Sequence, residues 1–426
     1  MALLFRAPRG TQDILPEDQP WWRFVVARAE ETARRFGYRR IDTPMFEQAG
    51  LFVRSVGAGT DIVEKETYTF TDRGGEEMTL RAEGTAPVCR AYLEHGMHTW
   101  PQPVRLYYIC PIFRYERPQA GRYRQHHQFG IEAIGDASPT VDAEIIEVGW
   151  RFLTDAQRGL GLRNLQLLIN SIGCPQDRPA YVQSLRAYYE PLLPRLCPDC
   201  RGRRFHKAPL RLLDCKQESC QALTAEAPRS VDFLCGACQE HWEALQGYLK
   251  ALDIPFSVEH RLVRGLDYYT RTVFEVQPPE ERAQAVLMGG GRYDGLIEEL
   301  GGKPTPGIGF GSGLERIVLQ VQRQASSPPQ EAPPDAVVAY AGTDTLLQAL
   351  TLASHLRQQG LCALLAPQRS LKGQLRWASA LQARYTLVVG SAEAQRGTVV
   401  VKDMATGEQK EVGVEGVAQA LGAPAN

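Results

Sequence analysis

The chain has 426 residues, a formal net charge of −1, 43% hydrophobic and 23% charged residues. That length holds two or three domains with their own cores, and the ordinary composition excludes a disordered or fibrous chain. Near-neutral charge excludes nucleic-acid binding by bulk charge and leaves local basic patches to do it. No run approaches the ~20 apolar residues of a membrane span, and the N-terminal MALLFRAPRG has too short an apolar run for a signal peptide. A cytoplasmic location, with no membrane partner, is the expectation.

Trp21–Phe36 carries apolar residues at helical spacing and ends at Gly37, so it predicts an amphipathic helix. YRRIDTPMFE follows as a strand broken by Pro44. Further strands are predicted at ETYTFTD, EEMTLRAEGT, VRLYYICPIFRYE and HQFGIEAIG, a helix at Thr140–Leu160 and a strand at Leu165–Ile172. Many strands with few crossover helices favour an antiparallel sheet. Residues 175–255 form a separate block rich in helix formers, after which strand-like and glycine-rich segments resume. The polar, proline-rich run at 324–335 reads as a linker. Beyond it, residues 336–426 alternate strand, helix and strand, predicting a small α/β domain with a mostly parallel sheet.

The segment Ile109–Glu132, ICPIFRYERPQAGRYRQHHQFGIE, is the most informative. It reads as two strands around a Pro/Gly-rich reversal and carries Arg114, Arg117, Arg122 and Arg124 with Glu116 and Glu132. Alternate side chains share a face of such a hairpin, and arginines there meet phosphates in bidentate geometry. The blander reading of any one of them is a surface strand arginine. His126 and His127, adjacent on a strand, are expected to point to opposite faces.

This segment resembles motif 2 of the class II aminoacyl-tRNA synthetases, in the form found in the histidyl-tRNA synthetase family. Arg264–Val276 (RGLDYYTRTVFEV) resembles that family's histidine-specific signature, Gly289–Leu296 (GGGRYDGL) its glycine-rich loop, Gly307–Leu319 (GIGFGSGLERIVL) motif 3, and Pro8–Asp18 (PRGTQDILPED) its N-terminal motif. The resemblance implies an α+β catalytic domain over residues 1–323 with an antiparallel sheet, interrupted by the helical insertion at 175–255, and a C-terminal α/β anticodon-binding domain. It implies ATP-dependent activation of L-histidine and its transfer to tRNA(His). ATP would arrive with Mg2+, no cofactor would be tightly bound, and the Trp21–Phe36 helix with the strand after it would build a homodimer.

Residue by residue, the resemblance puts Arg114 and Arg264 at the α-phosphate as catalytic groups. It puts Glu116 on the adenine, and Arg122 and Arg316 on the outer phosphates. Glu83, Gly84, Thr85, Gln128, Glu132, Tyr268, Tyr269 and Tyr293 form the histidine pocket, with glycines 289–291 closing it. A carboxylate there suits an imidazole N–H and discriminates against isosteres that lack it. Arg117 and Gln119, at the tip of the reversal, would meet the tRNA acceptor end, where an amide or guanidinium can read a base edge. Arg369–Ala378 (RSLKGQLRWA) offers basic residues and an aromatic in the C-terminal domain, though alone it would be an ordinary solvated helix.

Ten cysteines in a chain this size, with no export signal expected, do not suggest disulfides. Six cluster, as CPDC (197–200), Cys215, Cys220 and CGAC (235–238). Four thiolates of this cluster can hold a structural zinc, but the 34-residue gap between the CxxC pairs is longer than usual for zinc ribbons. Reduced structural thiols with no metal are the expectation. Two rivals remain: the regulatory subunit of ATP phosphoribosyltransferase, which shares the catalytic fold without the C-terminal domain and much of the histidine signature, and a synthetase for another amino acid.

Overall fold

Val104–Phe113 alternates buried and half-buried residues along its whole length, as a strand with a core on each side of its sheet does. In chain order the strands are β1 (Arg39–Arg40), β2 (Phe46–Gln48), β3 (Tyr68–Thr71), β4 (Glu77–Leu80), β5 (Val104–Phe113), β6 (Gln125–Ile134), β7 (Gln166–Ser171) and β8 (Ser257–Val258). There follow β9 (Thr270–Gln277), β10 (Met288–Arg292) and β11 (Gly307–Gly313). The computed structural model describes residues 4–56, 62–118, 121–279, 286–325, 329 and 332–422. It divides the chain into two units, Met1–Pro329 and Gln330–Asn426.

The first unit is built on an eight-stranded sheet in the order β1-β5-β6-β11-β10-β9-β7-β8. Every pairing from β5 through β7 is antiparallel; only the short edge strands β1 and β8 pair in parallel. The period of two divides β6 between the two faces. Phe129, Ile131 and Ala133 join one core with the helices Gln19–Arg35, Pro139–Thr154 and Leu314–Gln324. Gln128, Gly130 and Glu132 therefore face the opposite side, which the helix Thr85–Glu94 and the insertion cover. A small sheet, β2-β4-β3, lies apart from the large one.

Three local expectations change. β5 ends at Phe113, so Arg114 and Glu116 do not share a strand face: the Tyr115 N–H is taken by the Glu66 carbonyl at 2.7 Å and the chain leaves the sheet. The helix expected to reach Leu160 stops at Thr154, because Asp155 caps the backbone N–H groups of Gln157 and Arg158, both at 2.9 Å. In the insertion, only Arg178–Tyr189 and Gly236–Ala251 are long helices; between them no helical segment exceeds seven residues.

The second unit holds β12 (Ala336–Tyr340), β13 (Ala363–Leu365), β14 (Tyr385–Val389), β15 (Thr398–Asp403) and β16 (Gln409–Gly413), ordered β13-β12-β14-β15-β16. The first three are parallel, but β15 and β16 are antiparallel, so the sheet is mixed rather than mostly parallel. Between β15 and β16 the reason is local. Asp403 accepts from the N–H groups of Ala405 (2.8 Å) and Thr406 (3.1 Å), and Gly407 takes a φ of +78°. That is a tight reversal, not a crossover. Among the described residues, no helix is long and apolar enough to cross a membrane.

Candidate active site

A cleft of about 650 Å³ opens over the face of the sheet that carries Gln128 and Glu132, lined by Arg114, Glu116, Arg122, Arg264 and Glu275 and, from the insertion, Lys216. An adjoining cavity of about 280 Å³ shares the first five and adds His126, Gln128 and Arg316. The cations are held from behind. Arg114 Nε donates to the Ala82 carbonyl at 2.7 Å. Arg316, in the first turn of the Leu314–Gln324 helix, donates to the carbonyls of Gly121 (2.8 Å) and Val286 (3.0 Å). Arg264 pairs with Glu275 and lies 5.9 Å from the Tyr269 ring centroid. Arg122 pairs with Glu116 at 3.0 Å. Burial and the neighbouring Arg122 and Arg114 depress the pKa of Arg316, as expected where like charges converge. Such a site favours a polyanion.

Beside the cleft lies a buried polar cluster. Glu83 accepts from the N–H groups of Thr85 (2.7 Å) and Ala86 (2.6 Å), capping the helix that starts at Thr85. Thr85 donates its hydroxyl to Glu132 at 2.7 Å, and Tyr293 donates to the other Glu132 oxygen at 2.6 Å. Tyr108 reaches Glu132 at 3.4 Å and Tyr268 reaches Glu83 at 3.5 Å. The rings of Tyr268 and Tyr269 lie 4.7 Å apart, those of Tyr268 and Tyr293 5.9 Å. Burial raises the pKa of Glu83, and it pushes Glu132 up to about 8 against its hydroxyl donors. The neighbouring Glu83 adds to the rise at Glu132.

Glycines make room for these side chains. A Cβ at Gly84 or Gly130 would lie 2.3 or 2.1 Å from the Tyr108 ring, and one at Gly309 1.9 Å from the Glu132 carboxylate. Gly289 and Gly291 leave space for Arg264 and Tyr269.

The structure thus gathers Arg114, Glu116, Arg122 and Arg264 at the cleft, with Arg316 and Gln128 in the adjoining cavity. Glu83, Thr85, Glu132, Tyr268 and Tyr293 cluster together but line neither cavity. Arg117 is exposed at the loop and lines neither; Gln119 lies outside the described residues. The two histidines do face opposite ways. His126 lines the cavity, and burial beside Arg114 and Arg316 pushes its pKa down to about 3. His127 instead binds Glu315 through its N–H (2.8 Å) and Nδ1 (3.0 Å) and packs on Trp22.

Sequence reasoning missed Tyr108, Glu275, Lys216 and Arg178, whose guanidinium donates to the Tyr269 carbonyl at 2.6 Å. Tyr108 had a signal: it stands opposite Gly130 in the β5–β6 register, an aromatic facing a glycine. Lys216 had none, because its position depends on how the insertion folds.

A cationic cleft beside a buried carboxylate–tyrosine cluster on an antiparallel sheet is the layout of a class II adenylate-forming site. Residues 10–317 match the histidyl-tRNA synthetase family model and residues 335–423 the anticodon binding domain model. The chain belongs to the histidyl-tRNA synthetase family. It is 55% identical over 402 residues to a histidine–tRNA ligase of Dehalococcoides mccartyi, covering 94% of this chain and 95% of that one. It is 48% identical over 420 residues to the histidine–tRNA ligase of Pelotomaculum thermopropionicum, covering 98% of each. The crystal structure of apo histidyl-tRNA synthetase from S. aureus superposes with a TM-score of 0.81 at 37% identity, over 98% of this chain and 100% of that one. Likeness over the whole length, including the anticodon-binding region, favours the catalytic reading over the regulatory subunit.

Proposed function

We propose that this chain activates L-histidine with ATP and transfers it to tRNA(His). The observation that carries this reading is the adjacency of the two halves of the site. Arg264 and Gln128 line the smaller cavity, and Gln128 shares its strand face with the buried Glu132. A nucleotide in the cleft would present its α-phosphate to a carboxylate emerging from the pocket. The histidine carboxylate oxygen forms a bond to the α-phosphorus, the bond to the β-phosphate oxygen breaks, and pyrophosphate leaves. Arg114 and Arg264 stabilise the charge that grows on the α-phosphoryl oxygens; Arg122 and Arg316 hold the outer phosphates. Glu116, freed from Arg122, accepts from the adenine amino group.

In the pocket, Glu83 and Thr85 take the ammonium, while Gln128 and Glu132 meet the imidazole between the tyrosines. The side chains of Glu83 and Glu132 are now bonded to each other's neighbours, so substrate exchanges those bonds for its own. No protein base is required, since the substrate carboxylate is the nucleophile and the work is positioning. His126, held neutral, fits that picture. Glu275, beside Arg264, is a cleft carboxylate that would hold magnesium arriving with ATP, where the ion would supply charge neutralisation at the phosphates.

In the second step a terminal ribose hydroxyl of tRNA attacks the histidyl carbonyl and AMP leaves. Arg117 and Gln119 read the acceptor end. On the helix Leu371–Ala380, Lys372 and Arg376 are exposed one turn apart while Gln374 is buried against Tyr340, which suits an RNA-facing edge. A homodimer, acting in the cytoplasm, completes the reading. Its support is a set of exposed apolar side chains, Met45, Phe46, Val53 and Phe70, around the small β2-β4-β3 sheet. The test is ATP–pyrophosphate exchange with each amino acid in turn, without tRNA. Exchange with histidine alone is expected; exchange with another amino acid, or with none in folded protein, defeats the reading.

A further inference from the structure

The two CxxC pairs do not face each other. CPDC converges with Cys215 and Cys220, and the four sulfurs all lie within 4.8 Å of one another. CGAC goes elsewhere, to Cys174 and Asp177. We propose that Cys197, Cys200, Cys215 and Cys220 bind one structural zinc ion, and that this ion holds the wall of the cleft that carries Lys216. The site departs from the expectation of metal-free thiols.

Geometry carries the assignment. Zinc–sulfur bonds of about 2.3 Å in a tetrahedron separate the sulfurs by about 3.8 Å, and Cys197 and Cys215 stand 3.9 Å apart. That is too far for a disulfide bond, and all four cysteines are free. It is also too close for a multi-iron cluster, whose thiolates sit on different irons and must surround a body larger than one ion. Backbone N–H groups point at two of the sulfurs: that of Cys197 at Cys220 Sγ (3.2 Å) and that of Cys200 at Cys197 Sγ (3.5 Å). Such donors stabilise and orient metal-bound thiolates. Three of the four residues are buried, so the ion would be shielded from water.

The surroundings need a staple. Residues 190–224 are a succession of short helical segments of three to seven residues, and small irregular folds commonly use a metal for the stability a thin core cannot supply. Arg204 already ties the two cysteine-bearing arms, meeting Asp199 at 2.6 Å and Asp214 at 3.2 Å. Cys215 and Lys216 both line the large cleft, next to Arg114 and Arg122. A metal at Cys215 would therefore set where the neighbouring lysine stands. The second knot carries no such assignment here, because the Asp177 carboxylate is already occupied by the N–H groups of Cys174 (2.9 Å) and Cys235 (2.8 Å).

The test is elemental analysis of the full chain purified without chelator, beside Cys197→Ser/Cys215→Ser. At least one zinc per chain is expected in the parent and about one fewer in the variant. Below ~0.2 zinc per chain in the parent, iron in its place, or an unchanged zinc content in the variant would overturn the proposal. Should the variant not fold, zinc-edge X-ray absorption of the parent decides: a shell dominated by sulfur at about 2.3 Å supports the site, and an oxygen and nitrogen shell ends it. Metal content is read without any assay of charging, so the site stands or falls separately from the enzymatic reading.

Discussion

Tyr293 donates its hydroxyl to Glu132 at 2.6 Å, and the two side chains are 1% and 0% exposed. Burial holds Glu132 at a pKa of about 8, above its ordinary 4.5. Between those values the folded chain keeps a proton that the unfolded chain has released. The group's contribution to stability is therefore complete below pH 4.5 and is lost as pH rises through about 8. Glu132→Gln keeps the shape but cannot titrate. Melting temperature measured from about pH 6 to about pH 9 should fall more steeply in the parent than in the variant. Parallel profiles would show that Glu132 does not carry that proton.

Arg264→Ala removes a guanidinium at the cleft and leaves Glu275 without it. A transition-state charge partner is worth on the order of 10² in rate, so histidine-dependent pyrophosphate exchange should drop by about that factor while the circular dichroism spectrum is retained. Activity within a factor of about three of the parent would remove Arg264 from the reaction, because such a loss is too small for a lost oxyanion-type contact.

Lys216→Ala tests the insertion's part in the nucleotide site. Its ammonium lines the same cleft as Arg114 and Arg122, and an added point charge at a phosphate acts mainly on binding. The KM for ATP should rise about tenfold, a loss of about 1.4 kcal/mol, with the KM for histidine little changed. A selective rise in the histidine KM would contradict this placement.

How much of this was legible in the sequence depends on which interactions set each part. The central strands were readable because alternation in β5 and β6 reflects two cores, one on each side of the sheet. The arginines and tyrosines of the site were readable because they sit in contiguous, ordered motifs. The joining of Glu83 to Tyr268, 185 residues away, was implied only by the family resemblance. The cysteine grouping was not legible, since spacing along the chain said nothing about which CxxC turned toward Cys215. The β15–β16 hairpin of the C-terminal sheet was missed because the Asp403 turn is a side-chain effect that hydrophobic periodicity does not register.

Next to Tyr293 in sequence, Arg292 turns away from the site into a buried charge network. It pairs with Asp142, and Asp142 also meets His241 Nε2 at 2.8 Å; Arg292 and Asp142 are both 0% exposed. Taking the charge off Asp142 leaves the buried guanidinium with Asp294, at 3.0 Å, as its remaining carboxylate, and breaking a buried pair costs up to about 3–5 kcal/mol. Asp142→Asn should therefore lower the unfolding free energy in urea by that amount while the folded fraction keeps its kcat. A loss of kcat at full folding would mean that the network positions the site rather than the core.

Gly309→Ala asks whether the missing side chains of the glycine-rich strand serve the pocket. Gly309 stands opposite Glu132 in the β6–β11 register. A Cβ there falls 1.9 Å from the Glu132 carboxylate and 2.4 Å from the Ile131 carbonyl. The carbonyl belongs to the sheet and cannot retreat, and the carboxylate is locked by Thr85 and Tyr293, so the methyl must displace one of them. Overpacking of this kind costs about 1–3 kcal/mol, and here part of that cost should appear as a histidine KM raised more than about tenfold. Gly295→Ala, where a Cβ meets nothing within 4 Å, is the control and should leave both stability and KM near the parent values. Equal behaviour of the two variants would separate Gly309 from the pocket's shape.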